Sequence, residues 1–187
     1  MIKFSQYIVN EWKFNNNKKP SFYRPKNRES LKQLIKDRYL NSNKKYLDLR
    51  DIDVSNIKEM HGIFVECSQT ETIDITGWNT SNVYTMEGMF EYKGNLKTIK
   101  GIEDLDVSNV TDMSYMFAYC YSLETIDLSK WKPEELSDVR CMFEECVNLK
   151  SIGNVDHWKE YTIVNMSFMF KNCDKLQKYP CWFKSLE

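Results

Sequence analysis

Five phenylalanines, Phe64, Phe90, Phe117, Phe143 and Phe170, recur at intervals of 26, 27, 26 and 27 residues, and this recurrence constrains the fold more than any other feature of the chain. Each is preceded by Ile63, Met89, Met116, Met142 or Met169. Four residues ahead of each stand Met60, Met86, Met113, Val139 and Met166. Three residues after come Cys67, Cys120, Cys146 and Cys173, with Lys93 the one exception. A fifth column, Ile52, Trp78, Leu105, Trp131 and Trp158, lies eight residues before the first of these. Five columns in register over five units define a repeat, and a period of this length marks a stacked array.

Each unit divides into two segments. The stretches "TIDIT", "TIKGI" and "TIDLS" place Ile73, Ile99 and Ile126 at the head of short strands of period two. The offsets 0, +3, +4 and +7 of Met113, Met116, Phe117 and Cys120 predict a helix of about two turns. Between them, "DVSN" and "NTSN" from Asp53, Asn79 and Asp106 are corners whose side chains can bond nearby backbone donors. The one-residue difference in unit length falls at "IKGI" and "IGNV", where Gly101 and Gly153 suit a bulge or a tight bend. A single unit has too few apolar anchors to offset the entropy of ordering its backbone, so stability requires that units bury surface against each other. The expected fold is therefore an α/β solenoid over residues 47–179, with a short parallel strand and a short helix per coil.

The ends differ from the repeat. Residues 1–46 hold twelve Lys and Arg against three Asp and Glu, a charge of +9, whereas residues 47–187 carry −10. This predicts a basic N-terminal helical head or cap over 1–46 on an acidic body. Within it Phe4, Tyr7, Ile8 and Trp12 share one helical face. A second helix from about Glu29 aligns Leu31, Ile35 and Tyr39, with Asn27 as N-cap. At the far end "YPCWFKSLE" leaves the repeat at Pro180, and Trp182 and Phe183 are expected to close the last coil as a cap over 180–187.

The stretch "DVSNVTDMSYMFAYCYSLETIDLSKW", Asp106 to Trp131, resembles the BspA-type leucine-rich repeat, the 26-residue repeat of mycoplasma surface lipoproteins. "YRPKNRESLKQLIKDRYL", Tyr23 to Leu40, is similar to the capping segment found ahead of such arrays. The resemblance implies a right-handed solenoid with a continuous parallel sheet on one face. It implies protein binding or adhesion as the function, and it brings no catalytic residues.

Three surfaces are candidates for function. If Met113, Met116, Phe117 and Cys120 face inward, Tyr115 and Tyr119 face outward, with Tyr92 in the column of Tyr119 and Phe168 in that of Tyr115. Such aromatics suit a protein interface or packing between coils. On the strands, Asp48, Asp74 and Asp127 follow inward Leu47, Ile73 and Ile126, and form either a face for a basic partner or solvated positions. In the head, Lys18, Lys19, Arg24, Lys26 and Arg28 interleave with Phe22 and Tyr23, a pattern that suits nucleic acid or the acidic body itself.

The Met and Cys columns could be read as a soft-metal site, but their recurrence in every unit is what core packing demands. His61 and His157 fall in unlike positions, and no catalytic or phosphate-binding motif is present. No catalytic residue, metal or cofactor is expected. The first residues have no apolar run long enough for a signal peptide, and no stretch approaches the length of a membrane span. The expectation is a cytoplasmic or virion-associated, non-catalytic scaffold that binds another protein. The leader "MIKFSQYIVNE" resembles leaders on proteins of large tailed phages, which implies the alternative of a structural component docked through the basic head. A nucleic-acid-binding accessory protein is the second alternative.

Overall fold

The computed structural model describes residues 23–160 and 163–183. Phe4, Tyr7, Ile8 and Trp12 of the expected first helix lie outside the described residues, as do Lys18 and Lys19. The described chain has one α-helix, α1 (Arg28–Leu40), and three strands, β1 (Tyr46–Asp48), β2 (Thr72–Asp74) and β3 (Thr98–Lys100). Single 3-10 turns cover Ile102–Asp104 and Asp156–Glu160.

Helix α1 starts at a reciprocal cap. Asn27 Oδ1 accepts from the Ser30 amide at 3.0 Å, and Ser30 Oγ accepts from the Asn27 amide at 3.0 Å. Two otherwise unpaired donors of the first turn are thereby satisfied. Leu31, Ile35 and Tyr39 are buried on one face and belong to the same core as Leu47, Ile52 and Phe64. Arg38 forks onto the Asp51 carboxylate at 3.0 and 2.7 Å, tying the helix to the first unit. The helix therefore covers one end of the core.

The strands form a parallel sheet in the order β1-β2-β3, with Leu47, Ile73 and Ile99 in register. Further parallel bridges join Glu59 to Thr85, Thr85 to Asp112, Asp112 to Asp138 and Asp138 to Asn165. Each unit thus lies parallel on the one before it. Inside, the rings of Phe64, Phe90, Phe117, Phe143 and Phe170 stack with centroids 5.0, 5.5, 5.3 and 5.5 Å apart. That spacing is the strand-to-strand distance plus the slack of a ring contact. Trp182 stacks on Trp158 and Phe183 meets Phe170 edge-on, so apolar rings cover the last described unit. Polar rungs run alongside. Asn56, Asn82 and Asn109 each donate a side-chain amide to the carbonyl of Pro25, Ser55 and Ser81 in the preceding layer.

The segment expected to be a two-turn helix is instead a run of tight turns. Met116 and Cys120 donate to the carbonyls of Met113 and Phe117 at 3.2 Å, closing two successive four-residue turns. Tyr115 and Tyr119, in third position, have φ of 57° and 62°. Gly62, Gly88, Cys141 and Phe168 occupy the first of these left-handed columns, and Tyr92, Glu145 and Asn172 the second. The reversal of φ at every fourth residue turns alternate amides toward the neighbouring unit. Met113, Tyr115, Phe117 and Tyr119 donate to the carbonyls of Asp138, Arg140, Met142 and Glu144 at 2.9, 3.0, 2.9 and 2.8 Å. In a helix the Phe117 and Tyr119 amides would instead donate within the segment, to the carbonyls of Met113 and Tyr115. A turn repeat of four and a helical repeat of 3.6 send the same offsets inward, which is why Met113, Met116, Phe117 and Cys120 are all fully buried.

The strand expected at Ile126 is reduced to a single bridge, Thr125 to Ser151.

Candidate functional site

The left-handed turn positions that hold aromatic residues place those rings toward the outside of the stack. Tyr92 and Phe168 are 62% and 65% exposed, while Tyr115 and Tyr119 are half-buried. Tyr92 and Tyr119 stack at 4.6 Å, and Tyr121 meets Tyr119 edge-on at 6.3 Å. The Arg140 guanidinium lies 6.0 Å from the centre of the Tyr115 ring, and the Lys171 ammonium 5.5 Å from that of Phe168. Lys171 also pairs with Glu144 at 2.7 Å. All four aromatics singled out in the sequence therefore share one face. Among these four, Tyr92 and Tyr119 alone stack on each other, and that contact uses one side of each ring.

Between the Tyr115 and Phe168 positions the same column holds Cys141, which is buried. Burial, followed by its hydrogen bond to Glu144, pushes the Cys141 thiol up. Burial also opposes ionisation of Glu144, but the hydrogen bonds from Lys171 and Cys141 outweigh it and hold that carboxyl below its ordinary range. A thiol in this setting is the reverse of an activated nucleophile. The Tyr115 hydroxyl is pushed up by its hydrogen bond to Cys141, and that of Tyr119 by the charge of Glu144. The face is neutral aromatic surface with fixed charges at its edge.

The inward cysteines are occupied as donors. Cys120, Cys146 and Cys173 direct Sγ to the carbonyls of Phe90, Phe117 and Phe143 at 3.2, 3.1 and 2.9 Å. Burial pushes the thiols of Cys67, Cys120 and Cys173 up to about 12. Lys93, the exception in this column, is not outside. It is 1% exposed and, among the described residues, its ammonium reaches only the Val65 carbonyl at 3.3 Å, and burial lowers its pKa. Nothing in the repeat pattern signalled an ammonium there beyond its place in an inward column. Cys181 is exposed.

The three strand acids are placed differently from one another. Asp127 is exposed and Asp48 half-buried, but Asp74 is only 4% exposed and does not offer its charge to solvent. Asp74 accepts from the Tyr46 hydroxyl at 2.7 Å and from the Thr76 amide at 3.2 Å. Each acid accepts from the backbone amide two residues on, at Arg50, Thr76 and Ser129, and so closes the strand end by an Asx turn. Asp48 is further clamped by Arg50 at 2.9 and 2.7 Å.

In the basic head, Arg24 pairs with Asp53 at 3.3 Å, and Arg28 donates to the His61 carbonyl at 2.7 Å and pairs with Glu29. Lys26 is exposed. Among the described residues no three His, Cys, Asp or Glu side chains converge to hold a metal ion, and no helix is long and apolar enough to cross a membrane.

One protein-family model, described as Mycoplasma protein of unknown function, DUF285, matches the chain over residues 29–98 and again over 58–182. The overlap of the two matches is what a repeat produces. A search of curated proteins gave no match.

Proposed function

The chain belongs to the mycoplasma family DUF285, and from that premise we propose that it is a non-catalytic repeat scaffold that binds another protein. The reading includes the architecture: a right-handed, leucine-rich-repeat-like solenoid of the BspA type, whose turn side is the binding surface. Support for stacking comes from the parallel bridges and the five-ring phenylalanine column.

The single observation that carries the functional reading is the set of aromatics held outward at strained backbone positions. Non-glycine residues at positive φ cost roughly 1 kcal/mol each, and Tyr and Phe have no local hydrogen bond to offset it, as Asn has. Tyr92, Tyr115, Tyr119 and Phe168 all stand there, at φ of 57–62°. Large apolar rings kept at a cost on an exposed face, beside Arg140 and Lys171, have the composition of an interface centre. Six free cysteines fit a reducing compartment, which supports a cytoplasmic location within the same reading. The ion pair of Arg24 with Asp53 and the hydrogen bond from Arg28 to the His61 carbonyl favour the head as a cap over the head as a nucleic-acid arm.

The test is affinity capture from the native host with the wild-type chain and with a Tyr92→Asn, Tyr119→Asn, Phe168→Asn variant. Asparagine suits positive φ, so the variant is expected to keep its melting temperature. A protein retained by the wild type and lost by the variant supports the reading. Identical capture by both overturns it.

A further inference from the structure

We infer that the strand side of the molecule carries a slot for an extended peptide, between β3 and residues 124–127. The ladder that joins successive units is interrupted there. On one side β3 pairs with β2, and Ile75 donates to Lys100 at 3.0 Å. On the other, Ile126 donates to Ser151 at 3.0 Å and Lys150 to Glu124 at 2.7 Å. No backbone hydrogen bond joins residues 97–101 to 123–127, although the turn sides of the same two units are fully laddered.

The cause lies in the extra residue of the 27-residue unit. Gly101 has φ of 82° and sits so close to the preceding unit that a Cβ would lie 2.7 Å from Thr76 Cα. The chain after β3 leans back on β2 and leaves its forward edge without a partner. The gap is a cavity of about 410 Å³ with Ile99, Ile102, Leu123 and Ile126 among its walls. Solvent reaches its sides: Ile99 and Ile126 are 6% and 7% exposed, against 0% for Ile73 in the closed part of the sheet. The other unit with a glycine insertion, at Gly153, is followed by a cavity of about 360 Å³, but there Gln177 donates to the Lys150 carbonyl at 3.1 Å and the ladder is not fully interrupted.

A wall of unpaired strand edge beside an apolar floor fits one kind of occupant, a polypeptide in extended conformation adding to the sheet. Charge narrows it further. Glu103 and Asp127 border the slot, and neither takes part in an ion pair among the described residues, while Lys97 is engaged by Glu71 at 2.8 Å. The occupant is a partner segment with an apolar side chain for the floor and a Lys or Arg beside it. This surface is separate from the outer aromatics and stands or falls without them.

The test is selection of a random 12-residue peptide library on the full-length chain, followed by binding measurements on the enriched peptides. Enriched sequences are expected to alternate apolar and polar residues with basic ones among them. Their affinity is expected to fall at least about tenfold when alternate peptide amides are N-methylated, and to vanish with Thr125→Trp, which fills the slot from an exposed position. If Thr125→Trp melts early, the pair Glu103→Gln and Asp127→Asn, which keeps both acceptors, serves instead and is expected to weaken binding in low salt only. The Tyr92→Asn, Tyr119→Asn, Phe168→Asn variant is expected to bind these peptides normally. Failure to enrich any peptide, or binding indifferent to N-methylation and to both slot variants, overturns the inference.

Discussion

Gly77 and Gly101 share a left-handed backbone, with φ of 88° and 82°, but differ in what surrounds them. A Cβ on Gly77 meets nothing within 4 Å, whereas one on Gly101 meets the backbone of Thr76 at 2.7 Å. Gly77→Ala is expected to cost about 1 kcal/mol from φ alone. Gly101→Ala is expected to cost at least ~2 kcal/mol more in denaturant unfolding, since backbone must move. Lys93 offers a second residue-level test. Burial lowers its pKa below the ordinary 10.5, so between the folded and unfolded values the unfolded chain binds the extra proton. Stability from this group therefore rises with pH toward 10.5. Lys93→Met is expected to stabilise at neutral pH by about 1 kcal/mol or more, with the gain shrinking as pH is raised. A pH-independent difference would show that Lys93 is not the group responsible. The burial of Lys93 was legible only as a column position. That of Asp74 was not, because its partner Tyr46 lies 28 residues away.

The turn segments show how far periodicity reaches at the scale of an element. Offsets of 0, +3, +4 and +7 identify the inward side chains of "MSYMFAYC" under a helix or a turn repeat alike. The inward set was therefore legible and the backbone was not. The one cue to turns was Gly62 and Gly88 in the column that Tyr115 later occupies. Similarly, Asn27 as a helix cap follows from local chemistry, while the interruption beyond β3 depends on where Gly101 comes to rest against β2. The side-chain rungs give a test. Asn109 Nδ2 donates to the Ser81 carbonyl at 2.8 Å across units. Asn109→Ala is expected to cost about 1 kcal/mol, and Asn109→Asp a similar amount, since both lose the donor. Retained stability in Asn109→Asp would mean that the rung acts as a turn former and not as a cross-link.

For the whole molecule, the stack makes each unit depend on its neighbours. Phe117 is fully buried between Phe90 and Phe143, and Phe117→Ala is expected to cost ~3–5 kcal/mol and to lower the melting temperature of the entire chain. An unchanged melting temperature would contradict the ring column as the common core. In the proposed function the turn side, and not the capped end, meets the partner. Hydrogen–deuterium exchange of the chain, free and bound to a captured partner, addresses this directly. Binding through the turn side is expected to slow exchange in residues 86–92, 113–121 and 166–172. Slowed exchange confined to α1, with those three segments unchanged, would contradict it.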